Sequence, residues 1–293
     1  VFGVVGGFGV TQYVHQYVLY RGFGPPKPTV PVAEQGTIVT LPVRSAALDG
    51  ATETSLVYLP AGYATSRQRY PVVYLLHGTP GDPRTAYVNS LHVAPRLDAL
   101  VAARQAKPMI VVMPTGSTGT YQRATEWANG ARPGEAWFTY LTRDVVRAVD
   151  SRFRTIPSRA ARGIAGYSSG ADGALNAVIL KPGEFGVAEG WSGDYYQNPA
   201  TVGRLPNLQH RFSAVLMATG AAPRMAADGT QVWLYAGQDD FRALPNTLTV
   251  FHDLQRGGVK VSLQVTTGGH AWMLWSAQLD PALKYFSQHL ART

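Results

Sequence analysis

The chain has 293 residues, 45% of them hydrophobic and 15% charged, so it can bury a sizeable core and is excluded from the disordered classes. It holds no cysteine, which excludes disulfides, thiolate metal sites and a cysteine nucleophile. The formal net charge of +8 suits acidic lipids or cell-wall polymers as neighbours, but no basic run is interleaved with aromatics, so nucleic acid is not an expected partner.

The chain begins with "VFGVVGGFGV", which by itself is too short to cross a bilayer. It continues as "TQYVHQYVLYRGFGPPKP", with aromatics and then a cation, as a membrane span often ends at the interface. Residues 1–24 are therefore expected to be either the stub of a membrane or signal anchor, or an amphipathic helix packed on the domain. Pro25, Pro26, Pro28 and Pro31 form a stiff connector, separating an N-terminal segment, 1–30, from a catalytic domain, 31–293.

Beyond the connector the pattern alternates. "GTIVTLPV" and "TSLVYLP" read as early antiparallel strands joined by a turn around Asp49-Gly50. "YPVVYLLHG" is a continuous apolar run bounded by turn residues, as in a strand buried on both faces. A helix is expected over "HVAPRLDALVAARQ" and a second buried strand over "PMIVVMP". In "TYLTRDVVRAVDSRF", Leu141, Val145, Val149 and Phe153 recur every four residues and define one apolar helical face. "RGIAGYS" is a strand followed by a helix, and "FGVAEGWSG" a further strand. "TQVWLYAG", "PNTLTVFHDLQRGG", "KVSLQVTTGG" and "LDPALKYFSQHL" complete the order strand, helix, strand, helix. The expected architecture is α/β, a mostly parallel central sheet with helices on both faces.

One stretch carries chemistry. "GYSSG" places Ser168 in a G-x-S-x-G frame between a strand and a small-residue helix, where the glycines allow a sharp reversal that presents the hydroxyl at the carboxyl edge of the sheet. Ser192 in "GWSGD" has Asp194 where the second glycine belongs, and Ser117 in "TGSTGT" lacks the frame. A serine at neutral pH needs a base, an orienting acid and oxyanion donors. His15 lies in the N-terminal segment, and His210, His252 and His289 sit in stretches that read as loop or helix surface. His77 ends a buried strand, where it shapes a loop, and His92 opens a helix. His270, in "TTGGHAW", follows the last strand on a glycine-flexible loop at the same sheet edge as Ser168, and is the expected base. Asp239 and Asp240 both follow the preceding strand, and either can supply the acid. The order Ser, Asp, His is that of an α/β-hydrolase. The Ser169 amide is one expected oxyanion donor, and Thr79 is the first candidate for the second, because Pro80 has no N–H. This chemistry calls for no cofactor or metal.

"PVVYLLHGTPGD", "FTYLTRDVVRAVDSRFRT", "GYSSGADGAL", "LYAGQDD" and "GGHAWMLW" together resemble an esterase family of α/β-hydrolases. Feruloyl esterases, S-formylglutathione hydrolases, enterochelin esterase-like proteins and the mycobacterial antigen 85 mycoloyltransferases belong to it. The resemblance runs from about residue 36 to the end of the chain. It implies an α/β-hydrolase fold, Ser168 as nucleophile, His270 as base, Asp240 as acid, and Thr79 and Ser169 as oxyanion donors. Ala271 departs from it, since relatives often carry a polar residue there.

The aromatic-rich loops offer a pocket. Trp127, Trp137, Trp191, Tyr195, Trp272 and Trp275 are candidates to line it, about half of them expected to be core instead. Trp127, Asp194, Tyr195 and Trp272 are carried forward as substrate-binding, Asp194 as a partner for an ammonium or hydroxyl group on an aminoacyl ester. The expected activity is extracytoplasmic hydrolysis of a small-molecule or lipid ester by a bacterial serine esterase, membrane-anchored or secreted. Acyl transfer to a sugar and a non-catalytic binding module are the alternatives.

Overall fold

Five short runs carry apolar side chains on both faces, and each becomes an interior strand. In a computed structural model, which describes residues 31–116, 126–197 and 206–291, eight strands form one sheet. They are β1 (Thr37–Arg44), β2 (Thr52–Leu59), β3 (Val72–Leu76), β4 (Ile110–Met113), β5 (Arg162–Tyr167), β6 (Val187–Trp191), β7 (Gln231–Gly237) and β8 (Lys260–Thr266). Their order is β1-β2-β4-β3-β5-β6-β7-β8. β1 pairs antiparallel with β2, and β2 with β4; the remaining pairs are parallel. The segment 1–24, Ser117 and the expectations attached to them lie outside the described residues. Among those described, no helix is long and apolar enough to cross a membrane.

Helices complete the described fold, among them α1 (Val93–Ala102), α2 (137–152), α3 (Ser169–Leu180), α4 (Pro206–Arg211), α5 (Ala214–Ala227), α6 (Ala243–Arg256) and α7 (Trp272–His289). Strand side chains alternate between two cores, as the period of two requires. Val72, Tyr74 and Leu76 of β3 face one core, built with Leu141, Ala174, Ala218 and Leu254 from α2, α3, α5 and α6. Val73 and Leu75 face the other, with Leu97 of α1 and Leu279 of α7. The sheet is therefore covered on both faces, and the early antiparallel hairpin turns at Asp49 and Gly50, both with positive φ.

Three elements differ from the sequence reading. α2 is π-helical over Tyr140–Val145, so the spacing of four does not run evenly through it. Leu141, Val145 and Val149 are buried, whereas Phe153 lies beyond the helix in extended backbone. α7 starts at Trp272 rather than near Leu279, because Leu274 and Trp275 already bury against the sheet; Pro281 is accommodated inside it. α5 escaped notice because Gly220 and Pro223 interrupt its alanine-rich repeat.

β3 runs on to β4 at one side and, through α1, β4 and α2, back to β5 at the other, so the order reverses at the β3/β5 pair. The crevice outside the carboxyl ends of those two strands is where an open α/β sheet takes ligands. Backbone crosses backbone there. A Cβ at Gly170 would stand 2.0 Å from the Leu76 carbonyl oxygen, and one at Gly166 would stand 2.5 Å from it. Gly170→Ala is expected to destabilise the fold by about 3 kcal/mol in urea unfolding, since backbone rather than a flexible side chain must yield. Gly220→Ala in α5, where a Cβ meets nothing within 4 Å, should instead stabilise by roughly 0.5–1 kcal/mol.

Candidate active site

At the end of β5 the chain reverses within one residue. Ser168 takes φ 54° and ψ −128°, its amide donates to the Trp191 carbonyl at 2.9 Å, and α3 begins at Ser169. Positive φ at a non-glycine residue is strained, and here it turns the hydroxyl out of the strand and helix axes. The loop after β3 lies against this elbow, a Cβ at Gly78 being only 3.0 Å from that of Ser168. The Ser169 hydroxyl donates to the Thr79 hydroxyl at 3.0 Å, tying the two loops together. The backbone amides of Thr79 and Ser169 engage no acceptor among the described residues.

The loop after β8 brings His270 over the elbow. It can descend that far because residue 237 is glycine: a Cβ there would stand 2.0 Å from the Gly268 carbonyl oxygen. The Ser168 hydroxyl donates to His270 Nε2 at 3.0 Å, and His270 Nδ1–H donates to Asp240 Oδ2 at 2.9 Å. Asp240 is buried and its other oxygen accepts the Ala243 amide of α6 at 3.1 Å. Burial alone would raise its pKa. The hydrogen bond and charge of His270, the Ala243 amide and the neighbouring Ser192 hydroxyl outweigh burial and hold the carboxyl below its ordinary value. Asp239 is exposed, and its amide donates to Gly268. Of the two aspartates, Asp240 is the one whose carboxylate meets the imidazole.

Trp275 supports the imidazole from below. Its ring meets that of His270 nearly perpendicularly at 5.1 Å and packs on Tyr167, the residue before the elbow serine, at 4.4 Å. Trp272, partly exposed, packs on both Tyr167 and Trp275. His77 is the other histidine nearby, and its nitrogens are committed. The Gly116 amide donates to Nε2 at 3.0 Å, which leaves Nδ1–H to donate to the Gly78 carbonyl at 2.9 Å. Burial lowers its pKa, so it stays neutral and shapes the loop that carries Thr79.

The expected pocket residues divide. Trp272 stands at the site. Trp127 is only 2% exposed, and its indole N–H donates to the His77 carbonyl at 2.9 Å, so it braces that loop instead of opening onto a cleft. Tyr195 is fully buried against Gly190, and Trp191 is stacked on Tyr235; both pack in the interior. Trp137 packs edge-on against Tyr140 in α2. Asp194 forms an ion pair with Arg242, so its charge is already matched within the protein. The Asn246 amide donates to its carbonyl at 2.6 Å.

Sequence reasoning missed the groups around Asp194. Asp172, one helical turn beyond Ser168 and fully buried, accepts the Tyr195 amide at 2.6 Å. Gln197 donates to Glu126 at 3.4 Å. The aspartate four residues after the elbow serine was a visible signal in "GYSSGADGAL", but nothing in the sequence pairs it with Glu126 and Arg242. Among the described residues no group of histidine and carboxylate side chains is arranged to hold a metal.

The chain resembles known proteins in sequence and in fold. Residues 45–286 match the model of a family described as "Putative esterase". An esterase of Mycobacterium tuberculosis is 33% identical over 138 residues, 47% of this chain and 28% of that protein. A protein of Xylanibacter ruminicola named endo-1,4-beta-xylanase/feruloyl esterase is 30% identical over 151 residues, 50% of this chain and 20% of that one. The matched region thus spans less than a third of either relative. Among solved structures, a ferulic acid esterase superposes with a TM-score of 0.78 at 25% identity, covering 88% of this chain and 99% of that one. An S-formylglutathione hydrolase from Agrobacterium tumefaciens superposes with a TM-score of 0.71 at 17% identity, over 88% and 97% of the two chains, and shares the fold.

The carboxyl cluster has a measurable consequence. Burial, and then the charge of Asp194, push the Glu126 carboxyl up to about 7, against the opposing pull of Arg242 and Gln197. A carboxyl raised on folding stabilises fully below its unfolded pKa, and that stability is lost as pH rises toward the folded value. Between about pH 4.5 and 7 the protein should lose on the order of 2 kcal/mol relative to Glu126→Gln, which has no proton to give up. Urea midpoints of both proteins across that range check the sign.

Proposed function

We propose that this chain, which belongs to the Esterase family, hydrolyses carboxylic esters through an acyl-enzyme formed on Ser168. The observation that carries the reading is the continuous chain of hydrogen bonds from Ser168 through His270 to Asp240, at the switch point of the sheet. In this mechanism the Ser168 oxygen attacks the ester carbonyl carbon and its proton passes to His270 Nε2. Asp240 keeps the imidazole in the tautomer that accepts this proton and balances the imidazolium that forms. The amides of Thr79 and Ser169 receive the oxyanion. Collapse expels the alcohol, which takes the proton from Nε2. Water then gives a proton to His270 and attacks the acyl carbon, and collapse releases the acid while His270 returns that proton to the Ser168 oxygen.

A non-catalytic binding module would not need these groups in register. The substrate we assign is a neutral acyl or aryl ester. Partly exposed Trp272 beside His270 supports it, as does similarity to a ferulic acid esterase. An aminoacyl ester has less support, because Arg242 already answers the Asp194 carboxylate. Action outside the cytoplasm belongs to the same reading and rests on the apolar residues 1–24.

Ser168→Ala is expected to lower hydrolysis of p-nitrophenyl acetate by at least about a thousandfold and to abolish fluorophosphonate labelling, with unfolding temperature unchanged within a few degrees. Retained labelling at another serine would remove Ser168 from the mechanism. The adjacent aspartates should part company in the same assay. Asp240→Asn is expected to cost roughly a thousandfold or more in kcat, and Asp239→Asn less than about twofold. The reverse ranking would transfer the acid to Asp239.

A further inference from the structure

Ser192, the serine with an incomplete glycine frame, has the backbone of Ser168. Tyr167 and Trp191 stand opposite each other in the parallel pair β5–β6, so Ser168 and Ser192 are the first residues beyond two adjacent strands. Ser192 takes φ 53° and Ser168 φ 54°, both in the left-handed region that non-glycine residues avoid. Such strain persists where the surrounding structure over-determines it. At Ser168 it presents the attacking hydroxyl. Ser192 is fully buried, so it is no second nucleophile. Its hydroxyl oxygen is shut off from solvent and has no partner in good hydrogen-bond geometry. A buried hydroxyl left so is costly, and the acceptor it needs has to lie within the fold.

β6 ends between the nucleophile and the acid. The Trp191 carbonyl accepts the Ser168 amide at 2.9 Å on one side, and the Ser192 amide donates to the Tyr235 carbonyl of β7 at 2.8 Å on the other. β7 closes at Gly237, whose carbonyl accepts the Asp240 amide at 3.1 Å. The turn that carries Asp240 therefore starts beside Ser192. Asp240 Oδ2 accepts His270 Nδ1–H and Oδ1 accepts the Ala243 amide, and each oxygen keeps a second lone pair. The Ser192 hydroxyl is near enough to help hold this carboxyl below its ordinary pKa. Tyr195 also neighbours Asp240, but burial holds its phenol protonated and its oxygen lies over Gly190 of β6.

We propose that Ser192 is a positioning residue for the catalytic acid, its hydroxyl giving Asp240 a third hydrogen bond as the reaction proceeds. Hydrogen bonds of a resting active site are often long or poorly aligned and close in the reacting complex. The proton taken from Ser168 makes His270 an imidazolium, which depends on an anionic and correctly turned carboxylate. A third donor limits the rotation of Asp240 and makes it less basic, so it orients the ring without drawing the Nδ1 proton away. The strained backbone at residue 192 aims the hydroxyl from the end of β6 toward the acid's turn. This rests on the esterase reading above and adds one side chain to its site.

Two variants of the full chain remove the hydroxyl and treat the strain differently: Ser192→Ala keeps it, and Ser192→Gly relieves it. On p-nitrophenyl acetate both are expected to lose roughly tenfold or more in kcat, with KM changed less than about twofold. A raised KM with kcat kept would make Ser192 a contact for substrate and overturn the proposal. Full kcat in Ser192→Gly would overturn it too, since backbone strain or packing alone would then account for the residue. A carbon-13 NMR titration of the Asp240 carboxyl, assigned by its loss in Asp240→Asn, keeps the proposal apart from the esterase reading. It is run in Ser168→Ala, with and without Ser192→Gly. The expected result is a midpoint at higher pH when the hydroxyl is absent, because one of the groups that hold the carboxyl low has gone. That shift supports the proposal even if no ester is cleaved. An unmoved midpoint overturns it even if the esterase is fully active.

Discussion

The end of β3 and the start of α3 touch through backbone atoms, and the rest of the carboxyl edge is arranged around that contact. Gly166 and Gly170 leave no room for a side chain against the Leu76 carbonyl. Their closeness forces the reversal into Ser168 alone, which accepts positive φ as a result. Because β3 and β5 are also the pair at which the sheet order reverses, the strained residue stands at the mouth of the crevice. Strain, close packing and topology therefore converge on one hydroxyl, and each would be hard to keep without the other two.

The loops that must meet that hydroxyl come from four strands, and they are tied to one another rather than left to find their places. Ser169 and Thr79 are linked through their hydroxyls. Tyr195 is held to α3 by Asp172, while Asp194 is held to Arg242 at the start of α6 and to Asn246 within it. Asp240 serves twice, orienting His270 with one oxygen and closing the first turn of α6 with the other. A carboxylate so engaged has little rotational freedom left to lose, which is the condition for a preorganised site.

Most of this was legible because it is local. The alternation of β1 and β2, the doubly apolar runs of β3 and β4, and the glycine frame around Ser168 are all written in contiguous residues. Strand context was enough to bring His270 and an aspartate to the same edge. Adjacent identical residues were not separable that way: Asp239 and Asp240 differ only in which side of the loop faces the imidazole. The aromatic residues failed for a related reason. Trp127 and Tyr195 look alike in sequence whether they line a cleft or fill the core, and the hydrogen bond from Trp127 to the His77 carbonyl lies 50 residues away along the chain. The Asp194–Arg242 pair joins positions 48 residues apart, so the partner of that carboxylate could not be read from its neighbours in the chain.

His77 illustrates what a committed imidazole implies. A neutral ring offers one donor and one acceptor at opposite edges of a rigid plate, and here Gly78 and Gly116 take both. No amide or hydroxyl side chain reproduces that spacing, so the loop demands histidine for reasons of architecture. A replacement scan would consequently name two indispensable histidines in this site, although only one is in a position to carry a proton. Chemical reactivity would separate them: an electrophile that acylates imidazole nitrogen meets a partly exposed ring at position 270 and a buried one at position 77.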